Sequence, residues 1–91
     1  EVSVAFGDLA RAATAPGALD TKTKELMAVA IGIVKQCEDC IGFHVKAAVM
    51  AGATRDEISD TIGMCVYMGG GPSLMYGAKA LGAFDQFTAV K

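Results

Sequence analysis

The chain has 91 residues, enough for one domain with a modest core. A net charge of −2 and a pI near 5.1, with eight scattered Lys and Arg, exclude the basic patch that nucleic-acid binding calls for. The chain is 53% hydrophobic with a mean hydropathy of +0.41, more apolar than a small monomer can hide, which predicts a homo-oligomer. No apolar run reaches the roughly 18 residues of a membrane span, since the best, Leu26 to Val34, stops at Lys35.

In chain order, the apolar spacing is helical nearly throughout and nothing alternates with period two, so the fold class is all-α. A short helix over Val4 to Ala13 is ended by Ala15-Pro16-Gly17. Asp20 or Thr21 can cap a second helix running through about Gln36, because a side-chain oxygen there can accept from the first free backbone N–H groups. Leu26, Val29, Ala30 and Val34 repeat along one of its faces. A third helix begins near Glu38 and ends at Gly52, where glycine tolerates the left-handed conformation. Thr54-Arg55-Asp56-Glu57 fits a capping box for a fourth helix, with Ile58, Ile62, Cys65, Val66 and Met68 on its inner side as far as Gly69. Pro72 suits the first turn of a fifth helix running to about Phe84. No internal repeat, low-complexity tract or linker divides the chain, so residues 1–91 are expected to form one domain.

The chemistry is concentrated in residues 37–44, Cys-Glu-Asp-Cys-Ile-Gly-Phe-His. On a helix Cys37, Cys40 and His44 fall on one face, since positions i, i+3 and i+7 nearly superimpose. A close Cys pair without a basic, apolar leader reads as redox or metal chemistry in the cytoplasm. The thiolate is the reactive form, and a helix N-terminus favours it, while Glu38 and Asp39 oppose it. Either Cys could attack a peroxide or a disulfide, with the other resolving the product. His44, the only His in the chain, could accept the thiol proton and return it to the leaving oxygen. Glu25 is the candidate to orient that imidazole. In a strict hairpin turning at Cys37, Glu25 stands about 18 Å back along one helix and His44 about 10 Å along the other. Spacing alone therefore leaves their contact open, to be closed by side-chain reach, a steep crossing or a neighbouring subunit.

With Glu25 twelve residues before the pair, in Glu-Leu-Met-Ala-Val-Ala-Ile…Cys-Glu-Asp-Cys-Ile-Gly-Phe-His, the chain resembles the AhpD-like alkylhydroperoxidase core of the carboxymuconolactone decarboxylase family. The resemblance continues through Ala47-Ala48 and Ala51-Gly52-Ala53-Thr54-Arg55-Asp56-Glu57-Ile58 and spans roughly residues 20–85. It implies an all-α protein of about five helices, assembled as a trimer or hexamer. It also implies a thiol-dependent peroxidase or disulfide reductase in which Cys37 and Cys40 are the redox pair, His44 the relay base and Glu25 the relay acid. The substrate would be a hydroperoxide or a disulfide, the reductant an external dithiol or redox protein. Sulfur carries both electrons, so no metal or organic cofactor is implied. Well-known peroxidase members carry His immediately before the second Cys where this chain has Asp39, a departure that bears on the peroxide step and leaves the dithiol intact. Decarboxylase members generally lack the Cys pair.

Plainer roles stand beside these. Buried cysteines are often inert small hydrophobes, and a single Cys-x-x-Cys could bind zinc with His44 as third ligand and Glu25 or water as fourth. Structural zinc sites usually draw on a second such pair, which is missing here. Cys65, between Met64 and Val66, reads as core. Met27, Met50, Met64, Met68 and Met75 read as core or interface filler, and Tyr67 and Tyr76 as structural or as lining the approach to the thiols. Glu57 reads as a capping residue and Lys46 as a solvated charge.

Overall fold

Five helices make up the chain in the computed structural model, which describes residues 1–89: α1 (Val2–Thr14), α2 (Thr21–Val34), α3 (Glu38–Met50), α4 (Arg55–Gly69) and α5 (Gly71–Ala89). No strand occurs among the described residues, and none of the helices there is long and apolar enough to cross a membrane. The caps explain where the helices start. Of the two candidates, Asp20 caps α2, its carboxylate accepting from the Thr23 N–H at 2.8 Å. Thr54 and Glu57 form the reciprocal capping box of α4: the Glu57 N–H donates to Thr54 Oγ1 at 3.1 Å and the Thr54 N–H to Glu57 Oε1 at 2.9 Å.

The helix ends are less regular. α3 closes as expected on Gly52, whose φ of +96° turns the chain so that the Ala53 N–H reaches the Ala48 carbonyl at 2.9 Å. α2 stops at Val34, short of Gln36, because the same closing pattern arrives two residues earlier. There the Gln36 N–H donates to the Ile33 carbonyl at 3.1 Å and the Cys37 N–H to the Gly32 carbonyl at 2.9 Å, with Gln36 left-handed at φ 59° in glycine's usual place. α5 runs past Phe84 to Ala89, since no breaker follows. Phe87 still packs on the core, and Asp85 accepts a two-pronged bond from Arg55 at 2.9 and 3.2 Å. α1 likewise begins at Val2, two residues before the expected start.

The core is Val29 and Ile33 from α2, Ile41, Val45 and Ala48 from α3, Ile58, Ile62 and Cys65 from α4, and Ala80 and Phe84 from α5, with Ala53 at the α3–α4 turn. Helices α2 to α5 enclose it, α2 packing on α3, α4 and α5, and α5 on α3 and α4. Two expected faces are corrected. The buried stripe of α2 is Glu25, Val29, Gly32 and Ile33, and Val34 lies outside it. On α4 the stripe is Ile58, Ile62 and Cys65, spaced i, i+4, i+7, and Met68 falls off it into solvent. None of the five methionines is core: Met27, Met50, Met64, Met68 and Met75 are all exposed. Cys65 is core, with its thiol pushed up by burial. α1 contributes nothing to this core and packs only against α2.

Candidate active site

The turn that ends α2 also starts α3. Cys37, the last residue of the closing turn, is the N-cap of α3, and its Sγ accepts from the Cys40 N–H at 3.3 Å. Cys40 therefore sits in the first helical turn, and the two cysteines are disulfide-bonded with a Cα–Cα distance of 5.3 Å, inside the usual range for such a bond. The pair lies where the free N–H groups of α3 favour an anionic sulfur. Gly32 lets the first turn of α3 press against α2, since a Cβ at that position would stand 3.2 Å from Cys40 Cβ and 3.5 Å from Ile41 Cγ1.

One turn on from Cys40, His44 Nδ1 donates to Glu25 Oε1 at 2.7 Å. The contact forms within one chain and needs no neighbouring subunit. Its distance follows from where α2 ends. With α2 stopping at Val34 and α3 starting at Glu38, Glu25 is about 14 Å from its end of the turn and His44 about 9 Å from the other. That offset is small enough for a carboxylate and an imidazole to span. Glu25 is 6% exposed, so His44 is the partner that satisfies a charge otherwise costly to bury. Holding Nδ1 this way fixes the tautomer and leaves Nε2 free to exchange a proton. The Phe43 ring meets the imidazole edge-on, with centroids 5.1 Å apart.

Cys37, Cys40 and His44 line a common cleft of about 190 Å³, whose other wall is Ala28, Ile31, Gly32 and Lys35 of α2. Of the sequence candidates, the structure thus brings together Cys37, Cys40, His44 and Glu25, with Glu25 behind the imidazole. It leaves Tyr67 and Tyr76 outside the cleft, Tyr67 in solvent and Tyr76 beneath the Lys79 ammonium. The α2 wall was not singled out from sequence. Its signal is present all the same: residues 28, 32 and 35 continue the i, i+3, i+7, i+10 series from Glu25. Glu57 caps α4 and also accepts from Lys22 Nζ at 2.8 Å, away from the cleft. Among the described residues, no three His, Cys, Asp or Glu side chains converge as a metal ion would need.

This geometry has relatives. The profile of the Carboxymuconolactone decarboxylase family matches residues 1–83, taking in α1 as well as the stretch from residue 20 onward. An uncharacterised protein of Cupriavidus necator is 42% identical over 85 residues, 93% of this chain and 75% of its own length. An uncharacterised protein of the cox locus of Paracoccus denitrificans is 42% identical over 82 residues, 90% of this chain and 74% of its own. Among solved structures, a carboxymuconolactone decarboxylase family protein from Legionella pneumophila superposes with a TM-score of 0.93 at 57% identity, over 96% of this chain and 78% of that one. A Thermotoga maritima family protein, described as having a possible part in the antioxidative response, superposes at 0.85 with 33% identity, over 92% of this chain and 72% of that one.

Proposed function

The chain belongs to the carboxymuconolactone decarboxylase family, and from that premise we propose that it is a thiol-dependent oxidoreductase of the alkylhydroperoxidase type. The observation that carries the reading is a bonded Cys37–Cys40 pair at a helix N-terminus, in one cleft with an imidazole held by a buried carboxylate.

In this reading Cys40 attacks. Its side is exposed where Cys37 is half-buried, and His44 stands one turn away on the same helix. His44 takes the Cys40 proton. The thiolate sulfur then bonds to the terminal oxygen of a hydroperoxide as the O–O bond breaks, giving a sulfenic acid and an alkoxide. The imidazolium returns the proton to the alkoxide, releasing an alcohol. Cys37 displaces water from the sulfenic acid and closes the disulfide. An external dithiol, free or on a redox protein, then restores the reduced pair by exchange. Glu25 keeps the imidazole oriented through both proton transfers. Assembly as a homo-oligomer and work in the reducing cytoplasm belong to the same reading, supported by the apolar surface and by the need to keep the pair reduced.

A second reading, reduction of disulfides without appreciable peroxide chemistry, is favoured by Asp39, an exposed carboxylate directly before Cys40. A free-thiol count with intact mass, on fully reduced protein before and after one equivalent of an organic hydroperoxide, tests both. Loss of two hydrogens and two thiols, with Cys65 remaining, supports the peroxidase. Reaction only with a small disulfide supports the reductase. Three thiols unchanged by either reagent would rule out both. For the order of attack, Cys37→Ser is expected to stop after gaining one oxygen atom at Cys40, while Cys40→Ser stays unreacted on the same timescale.

A further inference from the structure

α1 carries an apolar stripe with nothing on it. Val2, Phe6 and Leu9 recur at i, i+4 and i+7, with Ala5 and Ala13 beside them, and Phe6 is 69% exposed. α1 meets the body of the chain near its C-terminal end, where Thr14 lies on a different side of the helix from the stripe. The helix is tied there by Thr21 Oγ1 donating to the Thr14 carbonyl at 2.9 Å and Lys24 Nζ to the Ala15 carbonyl at 2.7 Å. The stripe therefore points away from its own chain.

The same molecule has an unfilled apolar cleft of about 470 Å³ between the C-terminal halves of α2 and α4, lined by Ala30, Ile31, Val34, Met64, Cys65 and Met68. It lies toward the other end of α2 from the attachment of α1, a helix some 20 Å long. We propose that the α1 stripe of one copy docks into the α2–α4 cleft of a second copy.

Area supports the pairing. The accessible surface is 5887 Å², whereas a 9.3 kDa monomer is expected to expose about 5,000 Å². The surplus of about 900 Å² matches the roughly 800 Å² that each partner gives to a standard stable interface. The radius of gyration, 13.0 Å against about 12 Å expected for this length, shows the same departure from a closed shape. Because stripe and cleft are different surfaces, the contact closes either by reciprocal exchange of α1 across a two-fold axis between two copies or head-to-tail as a ring. It also reaches the redox site, since Ile31 and Lys35 border both clefts, so the α1 of a neighbour would stand beside the approach to Cys40.

This inference rests on the reading that the chain assembles, and sedimentation of the full chain and two variants separates the two. Phe6→Lys spoils the stripe and Met68→Glu the cleft. Both positions are exposed within the chain, so both variants should keep the helical circular dichroism of the parent; if one does not, Val2→Lys or Met64→Glu replaces it. The expected result is an oligomeric parent, two monomeric variants, and a 1:1 dimer when the variants are mixed at high concentration. The Met68→Glu chain still has an intact stripe and the Phe6→Lys chain an intact cleft. A monomeric parent would overturn the assembly itself. An oligomeric parent whose mass neither variant changes, a single variant that alone dissociates, or monomers that do not complement would overturn the docking of stripe in cleft.

Discussion

A carboxylate as buried as Glu25, 6% exposed, is retained only if something answers its charge, and here that is His44 at 2.7 Å. Glu25→Gln tests what the charge does beyond the hydrogen bond. The amide oxygen can still accept from Nδ1, so the fold should melt within a few degrees of the parent. In the proposed mechanism the imidazolium formed during proton transfer loses its counter-charge in this variant, so turnover should fall about 100-fold. Steady-state turnover and thermal melting on the same preparation give the answer, and a variant that melts much earlier would make Glu25 a structural residue. Asp39 offers the opposite trade. A carboxylate in the first turn of α3 helps the helix dipole but opposes a thiolate at Cys40. Asp39→Asn should therefore alkylate faster than the parent in its reduced form while melting slightly earlier. Equal alkylation rates would show that the carboxylate does not reach the sulfur.

At the scale of the helices, the joint between α2 and α3 decides whether the site exists, and it turns on Gln36. A side chain held left-handed at φ 59° costs about 1–2 kcal/mol relative to right-handed backbone, part of which glycine would recover. Gln36→Gly is expected to raise the melting temperature by a few degrees with the redox pair undisturbed, because only the strain is removed. A lower melting temperature would mean that the Gln36 side chain holds the turn in a way the backbone bonds do not. The same joint explains what could be read in advance. Asp20, Thr54 with Glu57, and Gly52 act on neighbours two to five residues away, so local sequence reveals them. Cys37, Cys40 and His44 share one helix face for the same reason. The end of α2 was obscured because Gln stands where Gly would have signalled it. That displaced end is what made the Glu25–His44 distance look too long from spacing. Val34 against Ile33, and Met68 against Cys65, turn on which partner helix lies on which side, which no single helix records. The end of α5 depends on Phe87 meeting the core and Asp85 meeting Arg55, thirty residues earlier in the chain. The α2 wall of the cleft likewise has a meaning only once α3 is laid beside it.

Across the whole molecule, ion pairs tie helix ends together around the apolar core: half-buried Lys22 with Glu57 between α2 and α4, and the exposed pairs Arg55 with Asp85 between α4 and α5 and Lys79 with Glu38 at 3.4 Å between α5 and α3. The Lys22 hydrogen bond, helped by the Thr54 N–H, holds Glu57 below its ordinary value. Arg55 does the same to Asp85, and the hydrogen bonds from Thr23 do so to Asp20. A carboxyl group lowered in the folded state binds its proton more readily in the unfolded one. Its contribution is therefore complete above the ordinary carboxylate range and is lost as pH falls through the folded value. On the alkaline side the sign reverses: Lys22 and Arg55 are raised by the same contacts, so that contribution is lost only when pH climbs past the lysine range. The melting temperature of the oxidised protein should accordingly be level from neutral pH down to about pH 5 and decline below about pH 4. Glu57→Gln should start lower at neutral pH, because the ionic bond to Lys22 is gone, and should lose less on acidification, because one of the protons that drives unfolding is no longer taken up. Melting curves at matched ionic strength for parent and variant decide the matter. Parallel declines with acid would remove Glu57 from the account and leave the acid sensitivity to Asp20 and Asp85.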